Sequence, residues 1–202
     1  MTELRPYQRE IVAKYANARA AGHNRILLVA PTGAGKTVIA SAIIKTAVAG
    51  WGGVLVLAHR REIITQTSAK LHSLGISHGI IQAGLSPRPM DWVQIASVQT
   101  LWQRAIRTGT MQLPLANLLV IDECHHCPAA TYTKIINAYP EAILLGLTAT
   151  PCRGDGRGLG GIFQTMIECP QVAALIKQWL SRQNAVLRAN KPRSDRGARA
   201  EG

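Results

Sequence analysis

Residues 25–37 read RILLVAPTGAGKT. An apolar run, Arg25–Ala30, leads into a turn holding Gly33 and Gly35, and a helical pattern follows from Thr37 to Ala49. A short apolar run without polar alternation predicts a strand buried on both faces of a parallel sheet. The two glycines let the backbone curl until successive N–H groups point at one anion, and the helix adds its positive N-terminal end. Lys36 brings a point charge for β- and γ-phosphates, and the Thr37 hydroxyl can join a Mg²⁺ shell. Strand, loop and helix stand in the order that the phosphate-cradling pattern requires, with Ala30 in place of its usual first glycine. Thr32, Gly33, Ala34, Gly35, Lys36 and Thr37 are therefore the candidate phosphate-binding residues.

Working outward, further apolar runs occur at Gly53–Ala58, Val93–Val98, Leu118–Ile121 and Ala142–Leu147, with a weaker one at His78–Gln82. Helical periodicity lies between them at Tyr7–Ala21, Arg60–Leu74, Val98–Arg107 and Ala129–Ala138, and Gly22 is placed to stop the first helix. Repeated βα units of this length predict an α/β fold, a doubly wound and mainly parallel sheet with helices on both faces. Ligands of such sheets sit in the loops beyond the carboxyl ends of the strands.

The run Leu118–Ile121 delivers two carboxylates, Asp122 and Glu123, to its tip. Asp122 can hold Mg²⁺ directly or through water, and Glu123 can orient and deprotonate an attacking water. A triphosphate with its magnesium would then lie between the turn holding Lys36 and the Asp122 carboxylate, at neighbouring strand tips.

Composition limits the remaining possibilities. The 202 residues have room for one α/β lobe and a tail. Apolar residues make up 47%, so a packed core is expected. The formal charge of +12 points to a polyanionic partner. Six basic and two acidic residues fall in residues 181–202, which are poor in large apolar side chains and are read as a disordered basic tail. No run approaches the ~18 apolar residues of a membrane span, and the N-terminus lacks the apolar stretch of a signal peptide. The four cysteines, at 124, 127, 152 and 169, are too few for a secreted disulfide scaffold, so a cytoplasmic setting is expected.

Asp122-Glu123-Cys124-His125 resembles the DExH box of superfamily 2 helicases, in particular the type III restriction and repair-helicase group. Other segments agree in order: Leu4–Gln8 with the adenine-reading segment, Ala30–Thr37 with the first helicase motif, and Val56–Glu62 and Ser97–Leu101 with strand-contact motifs. Gly146–Pro151 is similar to the Thr-Ala-Thr coupling motif, and Arg153–Gly160 to the segment that often follows it. The resemblance covers roughly residues 4–180 and implies a RecA-like, ATP-binding first lobe. It implies that the Gln8 amide pairs with adenine N6 and N7, that Arg5 stacks on the base, and that His125, Thr148 and Thr150 couple nucleotide state to the second lobe. Arg60, Arg61 and Thr100 would grip nucleic-acid phosphates, DNA ahead of RNA.

The resemblance also implies a second RecA-like lobe, expected in another chain or missing through truncation, so that hydrolysis by this chain alone is expected to be weak. Two alternatives are a non-helicase phosphate-loop ATPase motor and a non-catalytic basic module that binds nucleic acid. Cys124-His125-His126-Cys127 has the spacing of a zinc half-site, but nothing in the spacing brings two further ligands to it. Trp51, Trp92 and Trp102 are expected to serve packing rather than base stacking.

Overall fold

A computed structural model of the chain describes residues 4–50, 52–86, 88, 90–126, 130–150 and 159–170. Among these residues the strands are β1 (Arg25–Val29), β2 (Val54–Ala58), β3 (Gly79–Ile81), β4 (Val93–Ser97), β5 (Leu118–Ile121), β6 (Ile143–Thr148) and β7 (Thr165–Glu168). The helices are α1 (Pro6–Ala20), α2 (Lys36–Gly50), α3 (Arg61–Ser73), α4 (Val98–Leu101) and α5 (Ala130–Asn137). The strands form one sheet in the order β3-β4-β2-β5-β6-β1-β7, and every neighbouring pair is parallel.

Strand periodicity divides the core into two layers. Ile26, Leu28, Val54, Val56, Leu118, Val120, Leu145 and Leu147 point to one face, where Ile11 and Tyr15 of α1, Ile39 and Ile43 of α2, and Ile64 and Leu71 of α3 pack against them. The intervening residues Leu27, Leu55, Leu57, Leu119, Ile121 and Leu144 point to the other face, against Val98 and Leu101 of α4 and Tyr132 and Ile135 of α5. Successive side chains of a strand face opposite ways, so a strand covered on both faces is expected to be predominantly apolar. That double cover accounts for the unbroken burial of β2, β5 and β6. Each large aliphatic side chain so buried contributes about 1.5–3 kcal/mol.

Three features differ from the sequence-based expectation. First, β7 is an additional strand. It pairs with β1 from Ile26↔Thr165 to Val29↔Glu168. Only Ile167 of its four residues is buried, so the segment carries no apolar run to mark it. Second, the helix expected over Val98–Arg107 is α-helical only in α4, and the wider π form takes over at Trp102–Arg107. Third, β6 lies between β1 and β5, so the strand tips carrying Lys36 and Asp122 are not neighbours. The tail at 181–202 and its boundary near residue 180 fall outside the described residues.

Candidate nucleotide site

Because all the strands run the same way, the residues that follow them gather at one end of the sheet. At the tip of β1 the loop turns through Gly33 and Gly35, at φ +83° and +79°, a region that side-chain-bearing residues rarely adopt. Ala34 N–H donates to the Pro31 carbonyl at 3.1 Å, and the Gly35 carbonyl accepts from Val38 and Ile39 at 2.9 and 3.1 Å as α2 begins. Thr32 and Gly33 are exposed, Ala34 is buried, and Gly35, Lys36 and Thr37 are half-buried.

Strand β6 stitches the two halves of the site together. Ala30 N–H donates to the Thr148 carbonyl at 2.9 Å, and Lys36 Nζ donates to the Ala30 carbonyl at 3.3 Å. From there Lys36 Nζ lies 3.9 Å from Glu123 Oε1. The site residues thus meet across an intervening strand.

At the tip of β5, Asp122 N–H donates to the Leu57 carbonyl at 3.2 Å, and Asp122 Oδ1 accepts from Glu123 N–H at 2.9 Å. Glu123 has φ +51°; among the described residues no other non-glycine is positive. Such a conformation costs about 1–2 kcal/mol and concentrates at functional sites. Loss of water by burial is the main reason the Asp122 carboxyl is held above its ordinary 3.8; the Glu123 charge adds to the rise, while the Glu123 N–H, Lys36 and His125 oppose it. Thr37 and Asp122 line the same small cavity, of about 10 Å³, with Ser41 and Thr67. Ala40, Ile44, Val56, Val120 and Leu147 complete its lining and Ser41 is bonded to the Thr37 carbonyl, so the oxygens left to meet a hard cation such as Mg²⁺ are the Asp122 carboxylate and the Thr37 hydroxyl.

His125 joins the acid turn to β6. Its Nδ1 stands 3.4 Å from Glu123 Oε2 and 3.4 Å from Thr148 Oγ1. Thr148, fully buried, donates from its hydroxyl to the Thr150 carbonyl at 2.8 Å and accepts the Thr150 N–H at 3.2 Å. The structure therefore brings Lys36, Asp122, Glu123, His125, Thr148 and Thr150 together.

The remaining candidates sit apart from this cluster. Arg60 and Arg61 are exposed where β2 runs into α3, and Thr100 is half-buried in α4, on the far side of β5 from the phosphate loop. Arg61 faces the Gln82 amide; with the oxygen turned toward it, the guanidinium donates at 3.3 and 2.5 Å. Arg5 is exposed, whereas Gln8 is buried beneath the phosphate loop. Gln8 Oε1 accepts the Arg5 N–H at 2.9 Å and Nε2 donates to the Ala34 carbonyl at 3.4 Å.

Sequence reasoning missed Tyr7, whose hydroxyl donates to that same carbonyl at 2.8 Å. Trp92, just before β4, is 60% exposed, and its carbonyl accepts the Val54 N–H of β2 at 2.7 Å. Trp102 is half-buried, with Arg107 and Lys134 over its ring at 5.6 and 5.9 Å. Cys124 is buried in the core layer beneath β6. Trp51, Cys127, Cys152 and the segment 151–158 lie outside the described residues.

Residues 1–153 match the family of the type III restriction enzyme, res subunit. The chain belongs to this family. Its family and fold are those of the first RecA-like, ATP-binding lobe found in superfamily 2 helicases. It is 35% identical over 152 residues to the 51.5 kDa protein of a Lactococcus phage (isolate 7-9), covering 74% of this chain and 29% of the relative. It is 31% identical over 156 residues to the DNA 3'-5' translocase XPB2 of Sulfurisphaera tokodaii, covering 77% and 32%. Among solved structures, the UvsW helicase of bacteriophage T4 superposes with a TM-score of 0.65 at 19% identity, over 82% of this chain and 60% of that one. The Hef helicase domain of Pyrococcus furiosus gives 0.64 at 24%, over 82% and 38%. The chain spans about a third of the length of these two curated relatives.

Proposed function

We propose that this lobe binds ATP with Mg²⁺ and hydrolyses it to drive movement along nucleic acid, DNA ahead of RNA, once a second lobe closes over the site. The observation that carries the reading is the meeting of Lys36, Asp122 and Glu123 at one end of the sheet, joined through Thr148 of β6.

The loop N–H groups and Lys36 would hold the β- and γ-phosphates. The chemistry that Mg²⁺ supplies, held by Asp122 and Thr37, is neutralisation of charge on the phosphate oxygens. Glu123 would place and deprotonate the attacking water. His125, Thr148 and Thr150 would pass the state of the nucleotide toward the second lobe. Gln8 and Arg5 would meet the base, and Arg60, Arg61 and Thr100 would hold backbone phosphates, a contact whose strength falls with salt. The Sulfurisphaera relative is named a DNA translocase, which supports DNA as the track. A cytoplasmic location belongs to the same proposal; among the described residues no helix is long and apolar enough to cross a membrane.

A second lobe matters because an arginine supplied to the transition state is worth ~10³–10⁵ in rate in phosphoryl-transfer enzymes. The 202-residue chain by itself is therefore expected to bind ATP, hydrolyse it weakly and unwind nothing. Calorimetric titration with ATP and Mg²⁺ tests the first step: heat with the wild-type chain and none with Lys36→Ala is expected. Absence of heat from the wild type refutes the site. Strand displacement by the pure chain refutes the need for a partner lobe. Stimulation of ATPase by nucleic acid, with and without an added second lobe, separates this reading from a non-helicase motor, against which Thr148 and Thr150 already argue.

A further inference from the structure

The first turn of α1 is bonded to the middle of the phosphate loop through one carbonyl. Tyr7 donates to the Ala34 oxygen at 2.8 Å, and Gln8 Nε2 donates to the same oxygen at 3.4 Å. Gln8 Nε2 also stands 3.4 Å from the Tyr7 hydroxyl. Ala34 is buried and lies between Gly33 and Gly35, whose backbones are the least restrained in the loop. A curl flanked by glycines has little stiffness of its own, so an outside bond to its central residue decides how steadily its N–H groups stay aimed. The approach is close: a Cβ at Gly35 would stand 2.6 Å from Gln8 Nε2.

The other side of this contact is firm. Gln8 Oε1 caps α1 by accepting the Arg5 N–H at 2.9 Å. Ile11 and Tyr15 anchor the helix in the core, and the Tyr7 ring packs against the same layer.

We infer that Tyr7 is a positioning residue for triphosphate binding: its hydroxyl holds back the Ala34 carbonyl and keeps the loop N–H groups turned toward the anion. Gln8 shares that acceptor as a second clasp, one that must let go before its amide can pair with a base edge. The inference rests on the proposed ATP site at residues 30–37. Because Tyr7 acts on the loop and not on the base, its loss weakens every triphosphate alike.

The test uses the full chain carrying Tyr7→Phe, which keeps the ring and removes the donor. It is titrated with Mg²⁺–ATP and, separately, with inorganic tripolyphosphate and Mg²⁺. Both affinities are expected to fall by the same factor, about two- to tenfold, as for one neutral hydrogen bond. Without any ligand, the Ala34 amide is expected to exchange its hydrogen faster in the variant. Unchanged affinities, or a loss confined to ATP, overturn the role. Val12→Ala, further along α1 against the same core layer, controls for packing: it should lower the melting temperature and leave tripolyphosphate affinity unchanged. A matching loss of tripolyphosphate affinity from Val12→Ala also overturns the role. A wild-type chain that binds neither ligand overturns the ATP site itself, a result visible without the variant.

Discussion

The loop at the tip of β1 and the turn at the tip of β5 face each other across β6, yet they carry their backbone strain differently. The loop puts its positive φ angles on glycines and has its central carbonyl doubly bonded by α1. The acid turn puts a positive φ on Glu123 and holds the Asp122 carboxyl short of water. The anion-accepting half is thus formed in advance. The half proposed to accept a cation stays unfavourable even with Lys36 beside it, and binding of a metal would release part of that cost.

The largest effect should come from Glu123→Gln, which keeps the shape of the acid turn and removes the proposed base. Phosphate release is expected to slow by about 10²–10⁴-fold, while ATP affinity, read by calorimetry, changes little. Next is Lys36→Ala, expected to weaken ATP by at least about tenfold, with little change in the melting temperature of the ligand-free protein. A strong loss of stability there would mean that the loop depends on its lysine for shape and is not formed in advance.

The acid turn should behave in the opposite sense. Since folding raises the Asp122 pKa, the folded chain holds that proton more tightly than the unfolded chain does, and stability falls as pH rises from 3.8 through the raised folded value, then levels off. Asp122→Asn is therefore expected to raise the melting temperature at neutral pH, by a margin that vanishes in acid, while abolishing the Mg²⁺ dependence of nucleotide binding. A lowered melting temperature at neutral pH would erase the contrast between the two halves. The smallest effect is assigned to Glu123→Gly: relief of the left-handed backbone offsets the lost ion contacts, for a net stabilisation of at most about 1 kcal/mol by urea unfolding.

The sheet was legible wherever a strand is covered on both faces, because such a strand is mostly apolar, and the buried polar residues it does carry, Gln94 in β4 and Thr148 in β6, are each hydrogen-bonded. Hence β1, β2, β4, β5 and β6 stand out in the sequence. β7 does not, since an edge strand with one buried residue leaves no periodic trace. The phosphate loop was legible because its chemistry needs glycine at fixed spacing. The insertion of β6 between β1 and β5 was not, because strand order depends on crossovers that no local pattern records. Tyr7 was invisible for a related reason: a tyrosine at the start of a helix carries no sign of the carbonyl it will meet 27 positions later. The switch to π geometry at Trp102 also has no composition that announces it.

Among the described residues both margins of the sheet are short: β3 offers three residues and β7 four, and Glu168 sets an exposed carboxylate on the latter. A strand from another molecule would find only a few rungs to bond to, one of them beside a charge, so sideways growth into aggregates is discouraged. The described lobe is thereby discouraged from joining edge to edge with copies of itself.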